Sequence, residues 1–250
     1  MSRINRYNKI DRLTLRRLLA LILVAVMLSG CGEAKESVEE VDSSGFSLDI
    51  SELREGNGDI FGWLYVPDTR INGPLLQNMN GDDSFYKNHD ATKELNSEGA
   101  LHINSANLSN MCDFNEIVYG ASSEDLLLFE DRAYFEDHDF IYVYLEGNSL
   151  VYYIMAAYTR DSTDILAQYD FSYASGCQEF IDEIYSGRSM SKNIRSGWEN
   201  GLSPEHFLLT LSAESANEPG KQIVVIGCLV GDASGQIDRV VDWTSPEDEY

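Results

Sequence analysis

The chain has 250 residues, 43% of them hydrophobic and 11% aromatic, with 42 acidic against 18 basic residues and a net charge of −24. That length and apolar content can bury a substantial core in one or two domains, which excludes a largely disordered chain. The acidity excludes the electrostatic footprint of a nucleic-acid or anionic-lipid binder, and leaves basic proteins, peptides and cations as partners or solubility as its only role.

At the N-terminus Arg3, Arg6, Lys9, Arg12, Arg16 and Arg17 precede an uninterrupted apolar run, Leu18 to Leu28. The run is too short to span a bilayer, where about 20 residues are needed, but it suits the centre of an export signal. The stretch LSGC, Leu28 to Cys31, resembles the bacterial lipobox, in which the chain is cut before the cysteine and its thiol is acylated. The reading is a signal peptide over residues 1–30 and lipidation at Cys31, which holds the protein outside the cytoplasm at the outer face of the cell membrane. A plain signal peptide or a short anchor leaves Cys31 incidental. Cleavage leaves 12 basic and 41 acidic residues, a net charge of −29.

Residues 31–46, small and acidic, read as a tether, followed by a domain over 47–235 and an acidic tail over 236–250. Asp49 and Glu52 have capping-box spacing and predict a short helix to about Arg54. FGWLYV, PLLQ, ALHI, EIVYG, FIYVYL, LVYYIMAAY, FLLTL and QIVVIGCLV then predict eight strands, separated by Gly, Asn, Asp and Pro. Two helical insertions interrupt them. SSEDLLLFEDRAYF starts at Ser122 behind a hydroxyl cap, and CQEFIDEIY spans Cys177 to Tyr185 between the sixth and seventh strands. Many short strands with few helices predict a mainly β fold, closed into a barrel. Trp63 is expected in the core or at a barrel end. Cys112, Cys177 and Cys228 lack metal-binding spacing and leave two arrangements open, a Cys112–Cys177 bridge or free thiols. His89, His102, His138 and His206 lack ligand spacing too, so no metal site is expected.

In NGDIFGWLYVPDTRINGPLLQ, the residues Asn57, Asp59, Gly62, Trp63, Thr69, Ile71, Pro74 and Gln77 resemble the opening of class B sortases. SFYKNHD, SEGALHIN, EIVYGA, FLLTLSAE and KQIVVIG follow in that family's order, so the likeness covers about residues 48–232. It implies an eight-stranded sortase-type β-barrel with an N-terminal helix and a helix between strands six and seven. It also implies membrane-bound cysteine transpeptidase chemistry without a cofactor. A thiolate attacks the peptide carbonyl, an imidazole moves the protons, and a guanidinium stabilises charge or holds substrate.

The family's imidazole follows Tyr-Gly, and here Ala121 follows Tyr119-Gly120. Its thiol ends Thr-Leu-Ser-Thr-Cys, and here Glu214 ends that run. Its guanidinium opens the last strand, where Gln222 stands next to Lys221. None of these three side chains does the family's chemistry, and a nearby Lys does not reproduce an Arg fork. Ser212 and Ser215 flank the nucleophile position but lack a base; with Lys221 they are candidates for lining a groove. Glu214 is either a carboxylate that binds an amine or acts as a base, or a solvated strand end. The sequence thus reads as an extracytoplasmic pseudo-sortase that binds an extended peptide or another envelope protein. Two alternatives stand beside it: an active cysteine transpeptidase with relocated groups, Cys112 and His102 being the candidate pair, and a purely structural lipoprotein.

Overall fold

The computed structural model describes residues 48–186 and 192–246; the expected leader, lipidation site and tether lie outside them. Helix α1 (Ile50–Gly56) starts where the sequence predicts, because Asp49 Oδ1 accepts hydrogen bonds from the Ser51 and Glu52 amides, at 2.9 and 3.2 Å. The strands that follow are β1 (Ile60–Tyr65), β2 (Asn72–Leu76), β3 (His102–Ile103), β4 (Asn115–Tyr119), β5 (Phe140–Leu145), β6 (Asn148–Asp161), β7 (Asn193–Ile194), β8 (Leu208–Glu214) and β9 (Lys221–Asp232). All eight predicted runs form strands, and β7 is a short addition paired with Ala156 and Ala157 of β6.

The order β5-β1-β2-β3-β4-β8-β9-β6-β7, with β5 also pairing β6, closes eight strands into a barrel. Closure removes the unpaired edges of an open sheet. Leu64, Leu75, Ile141, Val143, Leu150, Tyr152, Leu209, Leu211, Ile223 and Val225 fill its interior. A second apolar cluster lies outside the barrel wall, where Ile117, Leu208, Val224 and Ile226 meet Cys177, Phe180, Ile181 and Ile184. Those last four belong to helix α5 (Ala174–Tyr185), the predicted insertion after β6; a short helix α4 (Ile165–Gln168) precedes it. The wall strands are therefore buried on both faces.

The insertion from Ser122 is not one helix. It divides into α2 (Ser123–Leu127), a 3₁₀ turn (Leu128–Glu130) and α3 (Arg132–Asp137). The break has a local cause: Asp131 is extended and its side chain accepts from the Tyr134 amide at 2.9 Å, so a second N-cap sits inside the apolar periodicity.

The N-terminal motif residues hold loops together. Tyr86 Oη donates to Asp59 Oδ2 at 2.6 Å, Lys93 Nζ lies 3.0 Å from the same oxygen, and Asn57 Nδ2 donates to Tyr86 Oη at 2.9 Å. Gln77 Nε2 donates to the carbonyls of Asn104 and Asn107. Trp63 is neither in the core nor at a barrel end. It lies half-buried on the outward face of β1, its Nε1 donating to Asn72 Oδ1 at 2.7 Å. Period-two alternation gives Leu64, not Trp63, to the interior.

Candidate functional site

Strands β4 and β8 run parallel, and their last pair is Val118 with Leu211. Ala121 and Glu214 each lie three residues beyond that pair, at the same end of the sheet. On the other side of β8, Glu214 pairs with Gln222 of β9, and Gln222 pairs in turn with Arg160 of β6. Glu214, Gln222 and Arg160 thus form one row across the barrel wall, and Ala121 lies at the same end, beyond the turn at Gly120. Gly120 turns the chain at this end: at φ +79° a Cβ on it would lie 2.0 Å from the Ala100 carbonyl oxygen, so only glycine fits.

These four positions differ in freedom. Ala121 is 8% exposed, its methyl packed into the barrel interior beside Leu126 and Ile223. Gln222 is also 8% exposed and fully engaged. Its Oε1 accepts from Ser212 Oγ at 3.0 Å, and its Nε2 donates to the Asp161 and Thr163 carbonyls at 3.2 and 2.9 Å. Glu214 is exposed, and among the described residues its carboxylate has no hydrogen-bond partner. Ser215 is half-buried; its amide donates to the Lys221 carbonyl, and its Oγ accepts from the Glu218 amide. Lys221 Nζ pairs with Asp161 Oδ1 at 2.7 Å.

Arg160 is the residue that sequence reasoning missed. It ends a strand of apolar residues and is itself buried, and an isolated arginine in that setting is the one available signal. Its Nε and Nη2 donate to Glu183 Oε1 and Oε2 at 2.7 and 3.0 Å, a two-pronged pairing. Nη2 also donates to Gln168 Oε1, and Nη1 donates to the same Thr163 carbonyl that Gln222 uses. Glu183 accepts further from the Tyr158 and Tyr169 hydroxyls. Burial pulls its carboxyl up, but the bonds from Arg160, Tyr169 and Tyr158 outweigh that and hold it below the usual range. Lys192 Nζ sits 4.3 Å over the Tyr158 ring and donates to the Glu183 and Ser186 carbonyls. Together Arg160, Asp161, Gln168, Glu183, Lys192 and Lys221 line a cleft of about 430 Å³ next to Gln222.

The relocated thiol–imidazole pair does not assemble. His102 pairs with Tyr119, the last residue of β4, whereas Cys112 precedes the first. Cys112 Sγ instead donates to the Asn110 and Gln236 carbonyls, at 3.6 and 3.9 Å. His102 Nδ1 lies 2.8 Å from the Ala100 carbonyl, which assigns that nitrogen the proton, and burial lowers the ring's pKa. Cys228 pairs with Leu208, at the far end of β8 from Glu214, and burial pushes its thiol up to about 12. Cys112, Cys177 and Cys228 are all free. Among the described residues no three His, Cys, Asp or Glu side chains cluster closely enough to hold a metal ion.

No protein-family model matches the chain. It is 23% identical over 185 residues to Sortase B of Listeria monocytogenes, covering 70% of this chain and 72% of that protein. It is 24% identical over 189 residues to Sortase B of Staphylococcus aureus, covering 72% and 74%. Among solved structures, a mutant form of Clostridium perfringens sortase B superposes with a TM-score of 0.62 at 23% identity, over 72% of this chain and 86% of that one. Staphylococcus aureus sortase B gives 0.60 at 24% identity, over 72% and 85%. The chain has the class B sortase fold.

Proposed function

We propose that the protein is a pseudo-sortase: a lipoprotein anchored through Cys31 outside the cytoplasm, which binds an extended peptide or another envelope protein without cutting it. The observation that carries this reading is the state of Ala121, Glu214 and Gln222, which the fold brings to one end of the barrel. Motifs that place an imidazole, a thiol and a guanidinium in the resembling family place here a core methyl, an exposed carboxylate and a buried, fully bonded carboxamide. A methyl moves no proton, and a carboxamide with both ends occupied carries no charge to a developing oxyanion. The retained loop staples at Asn57, Asp59, Thr69 and Gln77 keep the frame that orients the row. The exposed Glu214 carboxylate supplies a hydrogen-bond acceptor for an amine or a basic side chain at the strand end.

The test pairs binding with turnover. The full chain is titrated with labelled sorting-type peptides, and the mixtures are analysed by mass spectrometry for cleaved or transferred product. The expected result is saturable binding without product, weakened at least tenfold by Glu214→Lys, which leaves the fold intact because the residue is exposed. Turnover abolished by Cys112→Ala overturns the proposal in favour of an active enzyme. Absence of binding at millimolar peptide overturns it in favour of a structural lipoprotein.

A further inference from the structure

The outward face of β1, β5 and β6 carries aromatic rings where a solvated sheet face ordinarily carries polar side chains. Trp63 pairs with Tyr144, Tyr65 with Tyr142, and Phe140 with Tyr153, so all six project from the barrel on one side. Phe140 is 36% exposed and the other five are half-buried. The rings form a continuous layer: Tyr65 stacks on Tyr142 at 6.0 Å, Tyr142 on Tyr144 at 6.5 Å, Phe140 approaches Tyr153 at 5.6 Å, and Tyr153 reaches Trp198 at 6.4 Å.

The charges around this layer have one sign to spare. Asp68, 82% exposed, has the His138 ring 3.5 Å away, and Asp137 and Glu199 are exposed. The nearby cations are already paired, Arg54 with Glu146 at 2.7 Å and Arg195 with Asp139 at 3.2 Å. The layer also holds its own example of what it accepts. The Arg195 guanidinium lies 5.0 Å from the centre of the Tyr153 ring and 4.3 Å from that of Phe135. Ring faces are negative, so an aromatic layer with a surplus acidic rim is complementary to cations and repels anionic surfaces.

We infer that this face is a second binding surface, separate from the Glu214 row, and that its occupant is a protein segment bearing arginine or lysine. The rings receive the cationic heads and the acidic rim steers the approach.

The experiment titrates the full chain with an Arg/Gly/Ser peptide and with a copy in which each Arg is replaced by Glu, following Trp fluorescence and peptide anisotropy. The expected result is binding of the cationic peptide alone, weakening as salt is raised. Tyr142→Phe keeps the affinity because the ring face is kept. Tyr142→Leu, which keeps apolar area but removes the ring, lowers it about tenfold. Tyr142→Leu leaves the binding of sorting-type peptides near Glu214 unchanged, which distinguishes this surface from the groove. Equal binding of both peptides, full affinity in Tyr142→Leu, attachment of the chain to uncharged lipid vesicles through these rings, or their burial in a self-association measured by sedimentation each overturns the inference.

Discussion

Glu116 shows most directly how one residue's surroundings set its chemistry. It lies wholly buried on β4 between Asn115 and Ile117; its Oε1 accepts from the Asp113 amide at 3.2 Å, and its Oε2 has no partner among the described residues. Burial, helped by Asp113, pushes its carboxyl up to about 9 from an ordinary 4.5. Between those values the folded chain holds a proton that the unfolded chain has released, so stability falls as pH rises across the window. Glu116→Gln keeps the acceptor and removes the titration. Its stability should match the parent's near pH 4.5 and exceed it increasingly towards pH 9, by on the order of 1–3 kcal/mol; melting curves across pH check this, and a constant offset between the two proteins refutes it. EIVYG reads as a strand from its β-branched content, but nothing local says that Glu116 points inward. Alternation disappears where both faces of a strand are covered, here by the barrel interior and by α5. Ala121, Glu214 and Gln222, by contrast, sit inside segments of fixed spacing, and the β4–β8 and β8–β9 pairings bring those segments to one end of the barrel.

At the scale of elements, the pairing of β6 with α5 through Arg160 and Glu183 ties the cleft to the barrel. Removing Arg160 leaves the part-buried Glu183 carboxylate without its cation but still bonded to two tyrosines, which costs on the order of 1–3 kcal/mol. Arg160→Met should therefore destabilise the protein by that order in denaturant titrations, and Arg160→Met with Glu183→Leu by clearly less. Glu183 is held below its usual range, so its contribution is present above the ordinary glutamate pKa and disappears as pH falls through its lowered value. The acid limb of the stability curve should accordingly flatten in the double variant; an unchanged limb counts against the pairing. The helix was visible in the sequence from the spacing of Cys177, Phe180, Ile181 and Ile184, which it buries. Its ionic contact was not, because the partners are 23 residues apart and meet only when α5 lies over the wall. The same distinction explains the run from Ser122: apolar periodicity gave its buried side, while the interrupting cap at Asp131 looked like one more polar residue.

For the whole molecule, eight strands could be read from turn residues and β-branched runs, whereas their ends and their neighbours could not. The wall is built from a parallel pair, β4 with β8, whose residues Asn115 and Leu208 are 93 positions apart, and from β1 with β5, which are separated in the chain by β2 to β4, α2 and α3. Pairings of that range must close long loops before any contact rewards them. Refolding should thus be slow, on a timescale of milliseconds to seconds or longer. In pulse-labelled hydrogen exchange, the amides of the local β5–β6 hairpin should gain protection before those joining β4 to β8. Simultaneous protection of both would contradict this order. The seam between β4 and β8 is then the last part of the barrel to exist, and any ligand that bridges those two strands is bound to hold the molecule shut.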